Sequence, residues 1–251
     1  MTYCLAACVD AGLVFVSDSR TNAGIDQLAT FSKMHAFEEL DGRFFTLLSS
    51  GNLATTQAVV ARIHRDIRES APVNLSTVTR MREAADYIGE LSRSIQDKYS
   101  GDQRSDGFSP EAYFIFGGQI QGRPHALFQI YPEGNYVSPA DLSPFVQIGE
   151  QKYGKPILDR IIQSDTALEI VARCGLVSMD STMRSNASVG PPIELMIYTA
   201  GAPGAPTHMV FDEDDEYLRL IRESWGANLR AAFDRLPPIS LTRSPMRIVD
   251  G

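Results

Sequence analysis

The chain has 251 residues and a formal net charge of −8, and its basic residues are scattered. Apolar residues make up 43% and charged residues 22%, which is typical of one soluble globular domain. Nucleic-acid binding needs a basic face and a membrane span needs a long apolar run, so we expect neither partner. No basic residue precedes an apolar stretch at the start, which argues against a signal peptide and predicts a cytoplasmic protein.

Cysteines and histidines offer no framework for disulfides or metals. Cys4, Cys8 and Cys174 lack Cys-x-x-Cys spacing, and we expect them to be small buried thiols in a reducing compartment. The four histidines are isolated and form no His-Glu-x-x-His pattern, and no phosphate-binding glycine loop is present. We therefore expect no metal and no other cofactor.

The first half of the chain predicts two β-hairpins and then two helices. One pair of apolar runs flanks the turn sequence Asp10-Ala11-Gly12, and a second pair flanks Asp41-Gly42. The paired runs are residues 3–9 with 13–16 and residues 30–37 with 43–49. A helical stretch is then expected over 53–68. A second helix, which Ser76 caps and which reaches Tyr99, follows from apolar residues at 3–4 spacing.

The second half predicts further short strands, three helices and a tail. Strands are expected at residues 112–116, 126–131, 136–138, 145–148, 193–198 and 209–211. Helices are expected over 154–163 and 166–178, the latter with a capping box formed by Thr166 and Glu169. The acidic run 212–216 begins the last helix, whose apolar stripe consists of Leu218, Ile221, Trp225 and Leu229.

Strands and helices therefore occur in blocks along the chain and do not alternate strictly. This order favours an α+β protein with antiparallel sheets covered by helices over a doubly wound parallel sheet. We expect one domain over residues 1–236 and a C-terminal extension over 237–251. The extension is too apolar for a typical disordered end, and it either docks on its own domain or packs on a neighbouring subunit.

Three residues near the N-terminus combine into a nucleophile arrangement. Singly, Thr2, Asp18 and Lys33 are an ordinary strand start, a turn residue and a surface lysine. Methionine aminopeptidases remove Met1 when the next side chain is small, and removal would place a hydroxyl and a free α-amine on Thr2. The pKa of an α-amine is ordinarily about 7.7–8.0, so this amine can accept the hydroxyl proton. Lys33 would lower the pKa of the amine, and Asp18 would keep Lys33 charged and oriented.

At these positions the chain resembles proteasome β-subunits and the bacterial HslV peptidase. Thr2, Asp18 and Lys33 match the nucleophile, aspartate and lysine of that family. The segment 50–57 resembles the glycine-containing stretch that leads into the first helix. The resemblance implies that Gly51 supplies an oxyanion-hole N–H and that Leu53 and Thr21 line the substrate pocket.

The resemblance is most specific to the Anbu branch of bacterial proteasome-like proteins, and it covers Thr2 to Leu236. It is carried by residues 17–24, 149–156 and 178–186. It implies a four-layer α-β-β-α sandwich with N-terminal nucleophile hydrolase topology. It also implies a homo-oligomer, ring-like or helical, that hides the site, and it leaves open whether an ATPase partner is needed.

Two departures from the proteasome pattern concern the groups around the nucleophile. Glu150 stands where the family has a serine that helps the N-terminal amine, and a subunit contact and a helix entry are both open roles for it. Asp180 matches a family aspartate near the nucleophile, whereas Met183 occupies a second serine position. Ser181 could substitute for that serine, and for Ser181 and Asn186 a structural role is equally open.

These residues predict a proteasome-type threonine peptidase or amide hydrolase acting on a peptide or amide substrate. The first alternative is a dedicated hydrolase or amide-forming enzyme for one small peptide or amide. The second is a catalytically silent assembly scaffold. A mechanism-based threonine probe separates the enzyme classes from the scaffold.

Overall fold

Two five-stranded antiparallel sheets and a two-stranded sheet make up the β-structure of the computed structural model. The structure describes residues 1–22, 28–37, 40–100, 109–201 and 206–239. The strands of this part are β1 Tyr3–Val9, β2 Gly12–Asp18, β3 Arg20–Asn22, β4 Leu28–Thr30, β5 Met34–Phe37, β6 Arg43–Gly51, β7 Ala112–Ile120, β8 Ala126–Ile130, β9 Tyr136–Val137, β10 Phe145–Gly149, β11 Ile193–Thr199 and β12 Thr207–Phe211. The α+β class is therefore confirmed.

Five helices accompany these strands in the described part of the chain. They are α1 Leu53–Arg68, α2 Met81–Ser100, α3 Lys155–Ile161, α4 Leu168–Ser185 and α5 Glu216–Phe233. None of the helices in these ranges is long and apolar enough to cross a membrane.

The first sheet has the strand order β10-β1-β2-β11-β12. Successive side chains of a strand point to opposite faces, and β1 follows this rule. Tyr3 and Leu5 belong to an apolar cluster that includes residues of α3, α4 and α5. Cys4 and Ala6 belong to a second cluster, which they share with strands of the other large sheet. Both faces of β1 are thus buried, which explains its nearly continuous apolar sequence.

The second sheet has the strand order β5-β6-β7-β8-β9. On one face, Phe45 and Phe116 cluster with apolar residues of α1 and α2. On the other face, Leu48 and Ile115 join the cluster that contains residues of the first sheet. The chain therefore buries apolar side chains between the two large sheets as well as beneath the helices.

The second predicted helix begins later than its sequence suggests. It starts at Met81, five residues beyond the expected cap at Ser76. The side chain of Asn74 accepts hydrogen bonds from the backbone N–H and the hydroxyl of Ser76, at 2.7 and 2.5 Å. This local turn competes with helix formation, as short polar side chains commonly do. Glu83 then accepts the backbone N–H of Thr79 at 2.8 Å, just before the helix.

The predicted capping box of α4 is wrong, and the helix is longer than expected. Ala167 is the N-cap and makes no side-chain cap bond. The hydroxyl of Thr166 accepts the backbone N–H of Gln163 at 2.8 Å, in a turn that precedes the helix. Helix α4 continues to Ser185, well beyond residue 178, and so carries Asp180 on a helical surface.

The last helix begins as its acidic sequence predicts. Asp215 caps α5 by accepting the backbone N–H groups of Tyr217 and Leu218. Leu218 is buried, whereas Leu229, on the same predicted stripe, is 49% exposed. Of the predicted C-terminal extension, only residues 237–239 are described, and the remainder lies outside the described residues.

Candidate active site

Two neighbouring strand ends and the segment before β5 bring Thr2, Asp18 and Lys33 together. Strands β1 and β2 pair in antiparallel register, so the start of β1 lies beside the end of β2. The backbone N–H of Tyr3 donates to Oδ1 of Asp18 at 3.0 Å. The ammonium of Lys33 donates to the same Oδ1 at 2.7 Å and to the backbone oxygen of Arg20 at 2.7 Å.

The Asp18–Lys33 ion pair is buried on both sides. Asp18 is fully buried and Lys33 is 7% exposed. Burial raises the pKa of Asp18, whereas the Lys33 charge and the N–H groups of Tyr3 and Gly190 oppose that rise. Desolvation makes a buried pair weak evidence for stability, so its presence suggests another role. An ammonium has three donors, and no acceptor among the described residues takes the third.

Thr2 and Lys33 line one cleft of about 220 Å³. Its walls come from the segment before β5, from β5, from the end of β6 and from the first turn of α1. The lining residues are Thr2, Phe31, Ser32, Lys33, His35, Ser49, Ser50, Gly51, Leu53, Thr56 and Gln57. A substrate that enters this cleft can therefore reach Thr2, and Lys33 borders the same space.

Gly51 occupies a backbone conformation that favours glycine. Its φ is +101°, and a Cβ at this position would lie 2.3 Å from the backbone oxygen of Glu111. The next residue, Asn52, donates its N–H to the same oxygen at 2.8 Å and caps α1 through the N–H of Thr55. Gly51 is therefore held between β6 and the start of α1, on the lining of the Thr2 cleft.

Strand β10, which pairs with β1 on the side away from β2, contacts the backbone of Thr2. Gly149 has a φ of +82°, and a Cβ there would lie 2.0 Å from the carbonyl oxygen of Thr2. The N–H of Glu150 donates to that oxygen at 2.8 Å. The Glu150 side chain is buried and accepts a hydrogen bond from the amide of Asn186 at 3.1 Å. Glu150 thus adjoins the candidate nucleophile through its backbone.

Other residues singled out from the sequence lie in different surroundings. Asp180 is buried on α4, is not part of the cleft lining, and accepts a hydrogen bond from Arg222 of α5 at 2.8 Å. Met183 is partly buried against the apolar cluster beneath α4. The Thr21 backbone pairs with Ala29, but its side chain lies outside what the structure describes. Leu53 is half-buried and lines the cleft.

His35 also lines the cleft, although no motif in the sequence pointed to it. It is half-buried on β5, two residues beyond Lys33. Burial lowers the pKa of its imidazole, the charge of Glu194 raises it, and His64 lowers it. Alternation along an extended strand could have suggested that residue 35 follows residue 33 on one face.

No three side chains of His, Cys, Asp or Glu in the described ranges lie together as a metal-binding group would. The polar groups of the cleft lining instead include several hydroxyls, the ion-paired ammonium of Lys33, the imidazole of His35 and the amide of Gln57. These groups can perform nucleophilic and acid–base chemistry with side chains alone.

This fold, with Thr2 and a buried aspartate–lysine pair at one cleft, defines a proteasome-like protein, and solved structures support that class. An Anbu Gly-1 mutant from Hyphomicrobium sp. strain MC1 is 43% identical, with a TM-score of 0.88, over 96% of this chain and 100% of that chain. Anbu, described as an ancestral β-subunit, from Yersinia bercovieri is 42% identical, with a TM-score of 0.89, over 96% and 100%. The chain belongs to the Anbu family.

A further similar structure is a helical assembly of the Anbu complex from Pseudomonas aeruginosa. It is 42% identical, with a TM-score of 0.91, over 97% of this chain and 100% of that chain. No protein-family model matches the chain, and no curated protein matches it.

Proposed function

We propose that the chain is an N-terminal threonine hydrolase that cleaves a peptide or amide bond after removal of Met1. The observation that carries the proposal is the buried Asp18–Lys33 pair beside the cleft that Thr2 lines. A desolvated ion pair adds little stability, but the charge of Lys33 borders the same cleft as Thr2, which supports a role in activating that residue.

The chemistry uses the hydroxyl and the new α-amine of Thr2. The hydroxyl oxygen attacks the substrate carbonyl carbon while the α-amine takes the hydroxyl proton, directly or through one water. The tetrahedral intermediate collapses, the C–N bond breaks, and the ammonium returns a proton to the leaving amine. Water then attacks the ester on Thr2, which releases the acid and restores the hydroxyl.

The neighbouring groups adjust this chemistry. The Lys33 charge lowers the pKa of the Thr2 amine, so that more of the amine is neutral and able to act as a base. Asp18 holds Lys33 through the 2.7 Å contact. We assign the oxyanion contact to the N–H of Gly51, and the pocket for the substrate side chain to Leu53 and Thr21. Asp180 remains a candidate for the same site.

The architecture proposed for this function is the four-layer α-β-β-α sandwich of N-terminal nucleophile hydrolases. Its support is the set of three apolar clusters, one between the large sheets and one beneath each group of helices. We propose residues 1–236 as the hydrolase domain and residues 237–251 as an extension. We also propose that the protein works in the cytoplasm.

We further propose that the chain works as a homo-oligomer. The Pseudomonas aeruginosa relative is described as a helical assembly, and α5 of this chain leaves large apolar side chains exposed. Leu229 and Phe233 are among them, and Leu236, just after the helix, is exposed as well. Exposed apolar groups of this size commonly mark contact surfaces between proteins.

The test is intact-mass spectrometry of the purified chain with and without an epoxyketone or β-lactone probe. We expect loss of Met1 and one probe adduct, which peptide mapping places on Thr2. Thr2→Ala is the control and should lose the adduct while keeping its assembly state. Native protein that retains Met1 and forms no adduct would reject the hydrolase in favour of a scaffold.

A further inference from the structure

The imidazole of His35 faces the Thr2 cleft without a hydrogen-bond partner among the described residues. The hydroxyl groups of Ser49 and Ser50, which line the same cleft, also have no partner in that part of the chain. A substrate that enters the cleft displaces water from these groups. Binding is therefore stronger when the substrate offers polar atoms that replace the lost water contacts.

Apolar side chains share the cleft lining with these polar groups. Phe31 and Leu53 both line the cleft, Phe31 at the segment before β5 and Leu53 at the start of α1. A side chain that matches this surface has an apolar stem and a polar end. Glutamine, glutamate, lysine and arginine all have this form, so the charges around the cleft must decide among them.

A substrate side chain with a basic end finds no counter-ion in the described lining of the cleft. The described lining contains no carboxylate, and the ammonium of Lys33 borders the cleft. A lysine or arginine side chain would therefore lose its hydration without gaining an ion pair.

An acidic end is also disfavoured. Lys33 already has Asp18 as its ion-pair partner at 2.7 Å. The negative charge of buried Glu194 reaches His35 electrostatically, and burial favours the neutral imidazole. A substrate carboxylate at His35 would thus be repelled by Glu194, and the neutral imidazole would offer it no opposite charge.

We infer that the cleft selects a glutamine-like side chain at the residue whose carbonyl Thr2 attacks, and that His35 is the residue that recognises it. The imidazole N–H donates to the carboxamide oxygen, and the Ser49 hydroxyl accepts from the carboxamide nitrogen. This inference rests on the proposed function, since it assigns the specificity of the same nucleophile.

The test is a series of peptide epoxyketones that differ only in the side chain next to the reactive ketone. The side chains are glutaminyl, near-isosteric norleucyl, glutamyl, lysyl and hydrogen. The rate of Thr2 adduct formation is measured by intact mass on the assembled protein. We expect the glutaminyl probe to react about tenfold faster than the norleucyl probe, as one net hydrogen bond predicts. The glutamyl and lysyl probes should be slower than norleucyl.

Two variants connect this ranking to His35. His35→Leu should reduce the ratio of glutaminyl to norleucyl labelling rates about tenfold. His35→Gln keeps a donor and should retain part of the preference. Labelling by the probe without a side chain verifies that the fold and the nucleophile of each variant are intact, and the other rates of that variant are expressed relative to it.

The outcomes separate this inference from the function on which it rests. A wild-type chain that reacts as fast with the lysyl or norleucyl probe as with the glutaminyl probe overturns the inference, even if His35→Leu fails to fold. An unchanged ranking in His35→Leu overturns it as well. Thr2 labelling by none of the probes, including the one without a side chain, overturns the proposed function and this inference together.

Discussion

The ammonium of Lys33 lies 2.7 Å from Oδ1 of Asp18, and the two groups are nearly inaccessible to solvent. The carboxylate also accepts N–H groups of Tyr3 and Gly190, so it has partners even without the lysine. Lys33 has no second charged partner among the described residues, because its other acceptor is the neutral backbone oxygen of Arg20. Among the described residues, Asp18 is therefore the charged partner that holds Lys33 at the cleft that Thr2 lines.

Lys33→Ala should abolish nearly all turnover, because the Thr2 amine loses the charge that lowers its pKa. We expect a decrease in kcat/KM of about 10²–10⁴-fold, the usual contribution of a positioned base. The loss of unfolding free energy should be about 3–5 kcal/mol, the usual cost of removing one partner of a buried ion pair. Hydrolysis of a peptide-coumarin amide and thermal unfolding measure the two effects.

Lys33→Arg is the matched control that keeps the positive charge but changes its position. Its planar guanidinium places the charge elsewhere, and we expect it to leave the enzyme inactive. A Lys33→Ala enzyme with wild-type turnover would contradict the role of Lys33.

His35 should make stability depend on pH on the acidic side of neutrality. Burial lowers its pKa, so the unfolded chain binds a proton at higher pH than the folded chain does. The stabilisation is present above the unfolded pKa of about 6.5 and is lost as pH falls through the lowered folded pKa. Relative to His35→Gln, the wild-type chain should therefore lose unfolding free energy below about pH 6.5. Denaturant unfolding at several pH values measures this difference.

The control is His64→Gln, which changes a histidine on α1 that packs beside Phe37. His64 is exposed, and its substitution should leave most of the acid-dependent loss in place. A constant free-energy difference between wild type and His35→Gln across this pH range would show that His35 titrates alike in the folded and unfolded chains.

Gly149→Ala should displace Thr2, because the added Cβ would lie 2.0 Å from the Thr2 carbonyl oxygen. Gly122→Ala is a matched control, since Gly122 also has a positive φ of +75° but nothing within 4 Å. The control reports backbone strain alone, about 1 kcal/mol. We expect Gly149→Ala to lose at least about 2 kcal/mol and most of its probe labelling, while Gly122→Ala labels normally. Equal labelling of the two variants would contradict the close approach of Gly149 to the Thr2 carbonyl oxygen.

Local patterns predicted most elements, and long-range contacts explain what they missed. Apolar runs and the turn residues between them were sufficient for β1 and β2, because both strands are nearly continuous apolar sequences. They could not show that Asp180 would bond to Arg222, since those residues are 42 positions apart. His35 escaped notice for a similar reason. Its significance comes from the start of α1, which lines the same cleft and which local sequence patterns could not place beside β5.

The oligomer proposal predicts that apolar side chains at the end of α5 and beyond it contribute to subunit contacts. Leu229 and Phe233 lie on α5, are 49% and 72% exposed, and should lose contact area when replaced by glutamate. Leu142, fully exposed between β9 and β10, provides the matched control for adding a charge at an exposed apolar site.

Light scattering at micromolar concentration should show a mass of many subunits for the wild type and for Leu142→Glu. Leu229→Glu with Phe233→Glu, and truncation after Leu236, should each shift the mass towards smaller species. Circular dichroism should remain helical and cooperative in every variant, because the substituted side chains do not belong to the core. A wild-type monomer would refute the oligomer. An unchanged assembly after truncation would refute only the contribution of the tail, since Leu229 and Phe233 remain in that chain.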